Sequence, residues 1–279
     1  MSETPADELL ALTHALRAEL GRRQNMGLRR GPAPTPTFLR PAAPPAQKPA
    51  PKPTPALPAA LPEPIREPSR PPAPAPVAAE AGVKELRERA ASIADLASLQ
   101  AAVAECKACS LCETRTQTVF SAGQGRRVMF VGEAPGFHED QQGEPFVGPA
   151  GQLLTDILEK GMGLQRDEVT IANVLKCRPP ENRDPSPEEK ALCTAWLDRQ
   201  IELTDPEVII PLGRHAANHL LGTQDSMGRL RGKVHLRGSR KVIPTYHPAF
   251  LLRSPQMKKD CWQDIQLALV ELGLAPPKR

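Results

Sequence analysis

Short apolar runs alternate with amphipathic segments along the second half of the chain. Four runs have the length and composition of buried strands, at residues 128–131, 168–177, 206–213 and 241–250. Segments with apolar residues at helical spacing lie between and after them, at residues 148–163, 186–204, 214–222 and 254–273. Strands that alternate with helices are typical of a parallel sheet covered on both faces. The pattern therefore predicts an α/β fold, a three-layer α/β/α sandwich with a four-stranded parallel central sheet.

Proline separates this region from the N-terminus. Of the 33 prolines in 279 residues, 18 lie between Pro32 and Pro76. Such a stretch cannot donate regular backbone hydrogen bonds, and it holds few large apolar groups to offset the entropy lost on ordering. We predict a disordered proline-rich linker over residues 31–82, which serves as a spacer or as an SH3-type ligand. The globular part is predicted at residues 83–275.

Residues 1–30 combine a short amphipathic helix with a basic tail. Leu9, Leu12 and Leu16 have helical spacing, so this segment or the linker offers a docking site for a protein partner. The start lacks the basic and apolar regions of a signal peptide, and no apolar run is long enough to span a bilayer. We therefore expect a cytoplasmic protein without a membrane partner.

Charge alone leaves the partner of this protein open. The net charge of +4 tolerates nucleic acid without requiring it. Basic residues are concentrated in one short segment, at Arg229, Arg231, Lys233, Arg237, Arg240 and Lys241. This segment is either a contact for nucleic acid or a solvated hairpin with ordinary surface charge.

Polar side chains and glycines follow the predicted strands. The first strand leads into the sequence GEAPG at residues 132–136, the second carries Asn173 to Cys177, the third ends at Gly213, and the fourth delivers His247. Ligands of parallel sheets bind outside the carboxyl ends of the strands. We therefore expect a carboxylate, an amide and an imidazole to converge on one rim.

The six cysteines all lie in the predicted globular part, at Cys106, Cys109, Cys112, Cys177, Cys193 and Cys261. Structural disulfides are improbable in the cytoplasm, so metal or cluster ligation is the main alternative to chance. A zinc ribbon would show a second Cys-x2-Cys knuckle, whereas thiolates from distant segments equally suit an iron–sulfur cluster. An iron–sulfur cluster, a zinc site and unrelated buried thiols stay open on spacing alone. Cys261, in the last predicted helix, is interpreted as a packed apolar residue.

Four stretches of the chain match one family in order and spacing. They are CKACSL, MFVGEAPGFHEDQQGEPFVGPAGQLL, NVLKCRPPENRDPSPEE and HPAFLLR, within residues 103–272. Together they resemble the iron–sulfur-containing family 4 uracil-DNA glycosylases of bacteria and archaea. The resemblance implies a base excision repair enzyme that flips uracil out of DNA and hydrolyses its N-glycosidic bond, leaving an abasic site. It implies a monomer that acts on uracil-containing DNA at the nucleoid.

The resemblance also implies the cofactor and the residues that bind the base. A [4Fe-4S] cluster would be held by Cys106, Cys109, Cys177 and Cys193, without Cys112 and Cys261. The uracil pocket would be formed by Glu133, Ala134, Pro135, Phe146, Asn173 and His247. In it Phe146 stacks on the base, Asn173 reads N3–H and O4, and His247 stabilises the charge that develops at O2.

The residues that handle water and DNA are implied less directly. The best-known branch of the superfamily has an aspartate where this chain has Ala134. Which group handles the water is therefore open between the two nearby carboxylates, with Glu133 favoured for the pocket and Glu139 as a secondary helper. Leu251, Leu252 and Arg253 are implied to fill the gap that the flipped nucleotide leaves in DNA. The competing interpretation is a cluster- or zinc-bearing nucleic-acid-binding module without catalysis, and an electron-transfer protein is a third.

Overall fold

The computed structural model describes residues 76–277. The predictions for residues 1–30 and for most of the linker lie outside these residues. Within the described residues the first helix begins at Pro76, so the end of the segment predicted as linker, residues 76–82, is helical. Proline is compatible with the first turn of a helix because the backbone N–H there has no partner within the helix.

Six strands form one sheet in the order β1-β3-β2-β4-β6-β5. Their bounds are Ser121–Ala122 (β1), Val128–Gly132 (β2), Thr170–Asn173 (β3), Val208–Pro211 (β4), His235–Arg237 (β5) and Arg240–Val242 (β6). The four predicted strands are β3, β2, β4 and β6, and they pair in parallel as expected. The predicted count of four is wrong, because β1 and β5 add an antiparallel strand at each edge. Both edge strands are too short and too polar to be recognised from an apolar run.

Helices pack against both faces of the sheet. Their bounds are Pro76–Ala91 (α1), Leu96–Ala104 (α2), Leu111–Thr114 (α3), Phe137–Gln142 (α4), Pro149–Asp156 (α5), Pro187–Thr204 (α6), Arg214–Leu221 (α7), Met227–Leu230 (α8), Pro248–Arg253 (α9) and Lys258–Leu272 (α10). A π-helical turn, Ile157–Met162, continues α5. No helix within residues 76–277 has both the length and the apolar character that a membrane span requires.

Alternate residues of β2 face two separate layers of helices. Phe130 packs in a cluster with residues of α5 and α10, such as Leu154 and Ile265. Its neighbour Met129 points to the other face and packs with residues of α6 and α7, such as Leu197. All five residues of β2 are buried, as expected of a central strand in a sheet covered on both sides. The predicted three-layer arrangement is confirmed.

A third apolar cluster attaches the N-terminal helices to α6. Leu86 and Ala90 of α1 and Leu99 and Val103 of α2 pack with Trp196 of α6. The Cys106–Cys109 turn follows α2 directly, and Cys193 lies on α6 three residues before Trp196. This cluster therefore brings thiols from two distant parts of the chain to one place.

The basic segment runs from α8 to the β5–β6 hairpin. Five of its six side chains are paired with carboxylates, in the pairs Arg229–Asp225, Arg231–Asp264, Arg237–Asp198, Arg240–Asp205 and Lys241–Glu271. A cation that is paired with a carboxylate attracts a phosphate backbone less strongly than a free one. The geometry favours the structural interpretation of this segment over nucleic-acid contact.

Candidate active site

A cavity of about 440 Å³ opens at the carboxyl ends of the strands. It is lined by Glu133, Ala134, Pro135, Gly136, Glu139, Phe146, Ala150, Asn173, Pro179, Asn182, Arg183, Asp184, His247, Ala249, Phe250 and Arg253. Every residue predicted for the uracil pocket is among them. Parallel strands end at one edge of the sheet, and this is why segments more than 100 residues apart in sequence meet here.

Gly132 makes room for two side chains of this cavity. A Cβ atom at Gly132 would lie 2.3 Å from Oδ1 of Asn173 and 2.6 Å from Cζ of Phe146. Phe146 has a left-handed backbone with φ of 57°, which turns its buried ring back over the end of β2. The ring centroid of Phe146 lies 5.6 Å from that of His247, at 31° between the ring planes. The last residue of β2 therefore sets the position of the aromatic and amide walls.

Asn173 lines the cavity and carries an unsatisfied acceptor. Its side chain is 2% exposed, and its Oδ1 has no hydrogen-bond partner within residues 76–277. Buried polar atoms are nearly always paired, because an unpaired one costs about 1–3 kcal/mol. A ligand with an N–H group at this point would satisfy Oδ1.

His247 caps α9 and is thereby fixed in one tautomer. Its Nδ1 accepts a hydrogen bond of 3.1 Å from the backbone N–H of Ala249. Burial, together with the nearby charge of Arg253, lowers the pKa of His247 to about 4. The imidazole is therefore neutral at pH 7, with its proton on Nε2. It is a hydrogen-bond donor that carries no net charge.

Glu133 is a partly buried carboxyl with an altered protonation equilibrium. Burial and the negative charge of Asp184 raise the pKa of Glu133 to about 7, against the opposing effects of Lys190 and Arg214. His215 Nε2 lies 3.9 Å from Glu133 Oε1 and 3.6 Å from Asp184 Oδ2. Burial and the cations of Lys190 and Arg214 lower the pKa of His215, so it is neutral near pH 7.

Glu139 braces two loops of the cavity. Its carboxylate accepts hydrogen bonds from the backbone N–H groups of Gly136, Val147 and Gly148, at 3.0–3.1 Å. These contacts tie the GEAPG loop to the segment that carries Phe146. Both oxygens are occupied, so the arrangement favours a positioning role over contact with water. The predicted helper role of Glu139 stays a prediction.

The three residues of the predicted wedge differ in exposure. Leu251 is 1% exposed and packs in the core cluster with Phe130. Leu252 is 45% exposed, and Arg253 lines the cavity. Helical phase explains the difference, because consecutive residues of α9 point about 100° apart. Of the three, only Leu252 and Arg253 are exposed at the surface of α9.

The loop after Cys177 contributes residues that the sequence pattern did not single out. Asn182, Arg183 and Asp184 line the cavity, and His215 reaches its edge from the first turn of α7. Arg183 also pairs with Glu189 of α6, so the loop is anchored to the capped start of that helix. The available signals were the position of this loop directly after a strand end and its inclusion in the matched stretch NVLKCRPPENRDPSPEE.

Five cysteines surround a second, small and apolar cavity of about 20 Å³. They are Cys106, Cys109, Cys112, Cys177 and Cys193. Burial raises the pKa of Cys109 to about 11 and of Cys193 to about 12, and nearby thiols add to both shifts. Burial also raises the pKa of Cys177. Cys261 is buried elsewhere in the main core, which confirms its interpretation as a packed residue.

Hydrogen-bond donors point at two of these sulfurs. Arg115 donates from Nη1 to Cys177 Sγ at 3.1 Å, and the backbone N–H of Lys176 donates to Cys193 Sγ at 3.3 Å. Lys176 itself is fully buried, and its ammonium donates to the backbone oxygens of Phe120 and Asn173 and to Gln200 Oε1. Two cations therefore lie beside a group of thiols whose ionisation is unfavourable without a positive partner.

Known proteins with similar sequences include members of one family of DNA glycosylases. The model of the uracil DNA glycosylase superfamily matches residues 120–266. The chain is 41% identical over 192 residues to the type-4 uracil-DNA glycosylase of Sulfurisphaera tokodaii, covering 66% of this chain and 87% of that protein. It is 45% identical over 171 residues to the type-4 uracil-DNA glycosylase of Thermotoga maritima, covering 60% and 88%. The chain belongs to the uracil-DNA glycosylase superfamily and, within it, to the type-4 uracil-DNA glycosylases.

Proposed function

We propose that this protein excises uracil from DNA by hydrolysing the N-glycosidic bond, as the first step of base excision repair. The unpaired Oδ1 of Asn173, buried in a cavity beside an aromatic ring and a neutral imidazole, carries this conclusion. Uracil offers an N–H at N3, whereas cytosine has an acceptor there. The same oxygen therefore accepts from uracil and repels cytosine.

The base is recognised after it leaves the DNA stack. Phe146 offers a ring face on which the flipped base stacks, and Asn173 reads N3–H with Oδ1 and O4 with its amide N–H. Ala134 and Pro135 line the same cavity and complete the wall next to the base. Leu252 and Arg253 of α9 are suited to fill the space that the flipped nucleotide leaves behind.

His247 stabilises the departing base. As the bond between C1′ of the sugar and N1 of uracil breaks, its electron pair moves onto the base and is shared with O2. The Nε2–H of the neutral imidazole donates to that developing charge, as a donor of an oxyanion hole does. Its tautomer is set beforehand by the cap of α9, so no reorganisation is needed during the reaction.

Glu133 handles the water. With Ala134 in place of an aspartate, the partly buried carboxylate of Glu133 orients a water molecule toward C1′ and takes its proton. The oxygen of that water forms the new bond to C1′, and the proton then passes to the released base. An oxocarbenium-like sugar needs only a weak nucleophile, so leaving-group stabilisation supplies most of the rate.

The pH dependence of excision follows from Glu133. The ionised carboxylate is the active form, so the rate should fall about tenfold per pH unit below about 7. His247 stays neutral down to about pH 4 and adds nothing to this decline. Asp184→Asn removes the negative charge that raises the pKa of Glu133, so the decline should move to lower pH.

Single-turnover rates measured from pH 5 to 9 test this assignment. Glu181→Gln, which changes an exposed carboxylate in the same loop, is the matched control and should keep the wild-type profile. An Asp184→Asn profile that coincides with the wild type would contradict the role of Glu133.

Cys106, Cys109, Cys177 and Cys193 are suited to hold a [4Fe-4S] cluster. Within residues 76–277 no three cysteine Sγ atoms lie within 4.8 Å of one another. A tetrahedral zinc site needs sulfurs about 3.8 Å apart, given Zn–S bonds of about 2.3 Å, so the wider spacing supports a cluster. When bound, the cluster ties the loop after β3 to α6 and to the Cys106–Cys109 turn. Arg115 and Lys176 offset the negative charge of the thiolates.

Cys177→Ser should yield a colourless and less stable protein, because loss of one thiolate opens the cluster and frees the loop that follows β3. Cys112→Ser is the matched control, since it removes a thiol from the same cavity that is not assigned as a ligand. Visible absorbance, iron content and thermal unfolding are the measurements. A coloured Cys177→Ser protein together with a colourless Cys112→Ser protein would show that the ligand assignment is wrong.

The remaining candidate function is a nucleic-acid-binding module without catalysis. An oligonucleotide with one uracil, incubated with the purified protein, separates the two. An enzyme releases free uracil and leaves a site that alkali cleaves, whereas a binding module retards the oligonucleotide and releases nothing. We expect release with multiple turnovers, and retardation without release would refute the proposed function.

A further inference from the structure

Phe137 is a large apolar side chain exposed at the rim of the active-site cavity. Its side chain is 53% exposed, although it belongs to the first turn of α4 and follows the cavity-lining residue Gly136 directly. A single exposed apolar side chain is ordinary on a protein surface, so the evidence for a role of Phe137 is its place beside the cavity and the side chains that hold its ring. None of the roles assigned above uses this ring.

The ring is held in place by its neighbours. The guanidinium of Arg178 lies 5.1 Å from the centroid of the Phe137 ring, a cation–π distance. Arg178 is anchored in turn, because its Nε donates to Asn182 Oδ1 at 2.8 Å. His138 meets the ring edge-on, with the centroids 5.6 Å apart and the planes at 78°. Three side chains therefore fix an exposed ring that contributes little to the core.

The location of this pair points to DNA as the ligand. Arg178 directly precedes Pro179, and both Pro179 and Gly136 line the cavity that would receive the flipped base. A nucleotide next to the flipped uracil must therefore pass close to Phe137 and Arg178. An aromatic face beside a guanidinium suits a base and its phosphate, the combination that single-strand-binding proteins use.

We propose that Phe137, supported by Arg178, is a stacking site for an unpaired base next to the flipped uracil, and that it serves single-stranded DNA. This inference rests on the proposed excision of uracil. In a duplex, each base next to the flipped uracil stays stacked on its other neighbour, and its face toward the gap is covered by Leu252 and Arg253, so no face is left for Phe137. In a single strand these faces are free. The ring should therefore assist binding of single-stranded substrates only.

Phe137→Ala tests the stacking site on two oligonucleotides of identical sequence, one single-stranded and one annealed to its complement. On the single strand, KM should rise about tenfold with kcat within about twofold of the wild type, since stacking on one aromatic side chain has this magnitude. On the duplex, both constants should stay at the wild-type values. Phe137→Trp should keep the wild-type KM on the single-stranded oligonucleotide, because the larger ring still offers a stacking face.

Leu236→Ala is the matched control, since Leu236 is 71% exposed on β5, away from the cavity. It should leave KM unchanged on both substrates. A fluorescent adenine analogue placed next to the uracil gives a second readout. Its fluorescence should be quenched on binding by the wild type and by Phe137→Trp, and less so by Phe137→Ala.

Equal losses on single strand and duplex, or wild-type behaviour of Phe137→Ala on the single strand, would overturn the stacking site. These outcomes differ from failure of the proposed function itself. In that case the wild-type protein would release no uracil from either oligonucleotide. Thermal unfolding of Phe137→Ala should match the wild type, because the ring is mostly solvent-exposed.

Discussion

Asn173→Ala should reduce uracil excision by roughly three to four orders of magnitude while the protein stays folded. The variant removes the group that accepts from N3–H and donates to O4, so the bound base has two polar groups without partners. A site built to hydrogen-bond its substrate loses most of its rate when such a match is broken. Folding should persist, because Asn173 Oδ1 has no partner in residues 76–277 that would be left unsatisfied.

Single-turnover excision from a uracil oligonucleotide measures this effect, and visible absorbance verifies that the cysteine centre is intact. Gln152→Ala, which removes an exposed amide from α5, is the control and should behave as the wild type. A wild-type rate in Asn173→Ala would mean that the base is read by other residues.

Gly132→Ala should reduce excision about a hundredfold or more, and overpacking against the buried Phe146 and Asn173 should cost about 1–3 kcal/mol of stability. The added methyl group would lie 2.3 Å from Asn173 Oδ1 and 2.6 Å from Phe146 Cζ, so both side chains must move. The shift affects the ends of side chains, whereas Gly132 has no left-handed backbone that alanine would strain. Displacement by about 1 Å is enough to cost two orders of magnitude in a positioned reaction.

Gly228→Ala provides the matched control for this glycine. A Cβ atom there would meet nothing within 4 Å, and the backbone is not left-handed. Its excision rate should stay at the wild-type value. If Gly132→Ala retained full activity, the close packing of Asn173 and Phe146 over β2 would be unnecessary for recognition of the base.

The parallel core of the fold was predictable from the sequence because its signals are local. Buried strands such as Val128–Gly132 appear as continuous apolar runs, and the start of α6 carries the capping box of Ser186 and Glu189. The edge strands carry no such signal. Ser121–Ala122 has only two residues, and His235–Arg237 is polar except for an exposed leucine. Their pairing depends on the sheet edge being available, which is a tertiary property.

The location of the site was predictable from the ends of the strands, whereas the chemical role of each side chain was less so. Ligands of parallel sheets bind outside the carboxyl ends of the strands, and this rule alone predicts Glu133, Asn173 and His247 at one rim. The tautomer of His247 depends on a hydrogen bond to Ala249, and the pKa of Glu133 depends on Asp184 from another loop. Such properties arise from packing between distant segments, so the spacing of residues in the sequence does not predict them.

The wedge and the cysteines show the same limit. Spacing alone does not reveal that Leu251 points inward and Leu252 outward, because this depends on the phase of a six-residue helix. Spacing also left the choice of thiols open. The structure gathers five around one cavity, so the exclusion of Cys112 continues to rest on the family resemblance.

The most direct test of the central claim is the ratio of excision rates on matched uracil and cytosine oligonucleotides, for the wild type and Asn173→Asp. An ionised carboxylate at position 173 repels uracil O4 and accepts from the amino group of cytosine, so uracil activity should fall more than cytosine activity. The wild-type ratio should be large, on the order of 10⁴, and the variant ratio much smaller. An unchanged ratio in Asn173→Asp, with the cysteine centre intact, would contradict the assignment of Asn173 as the residue that reads the base.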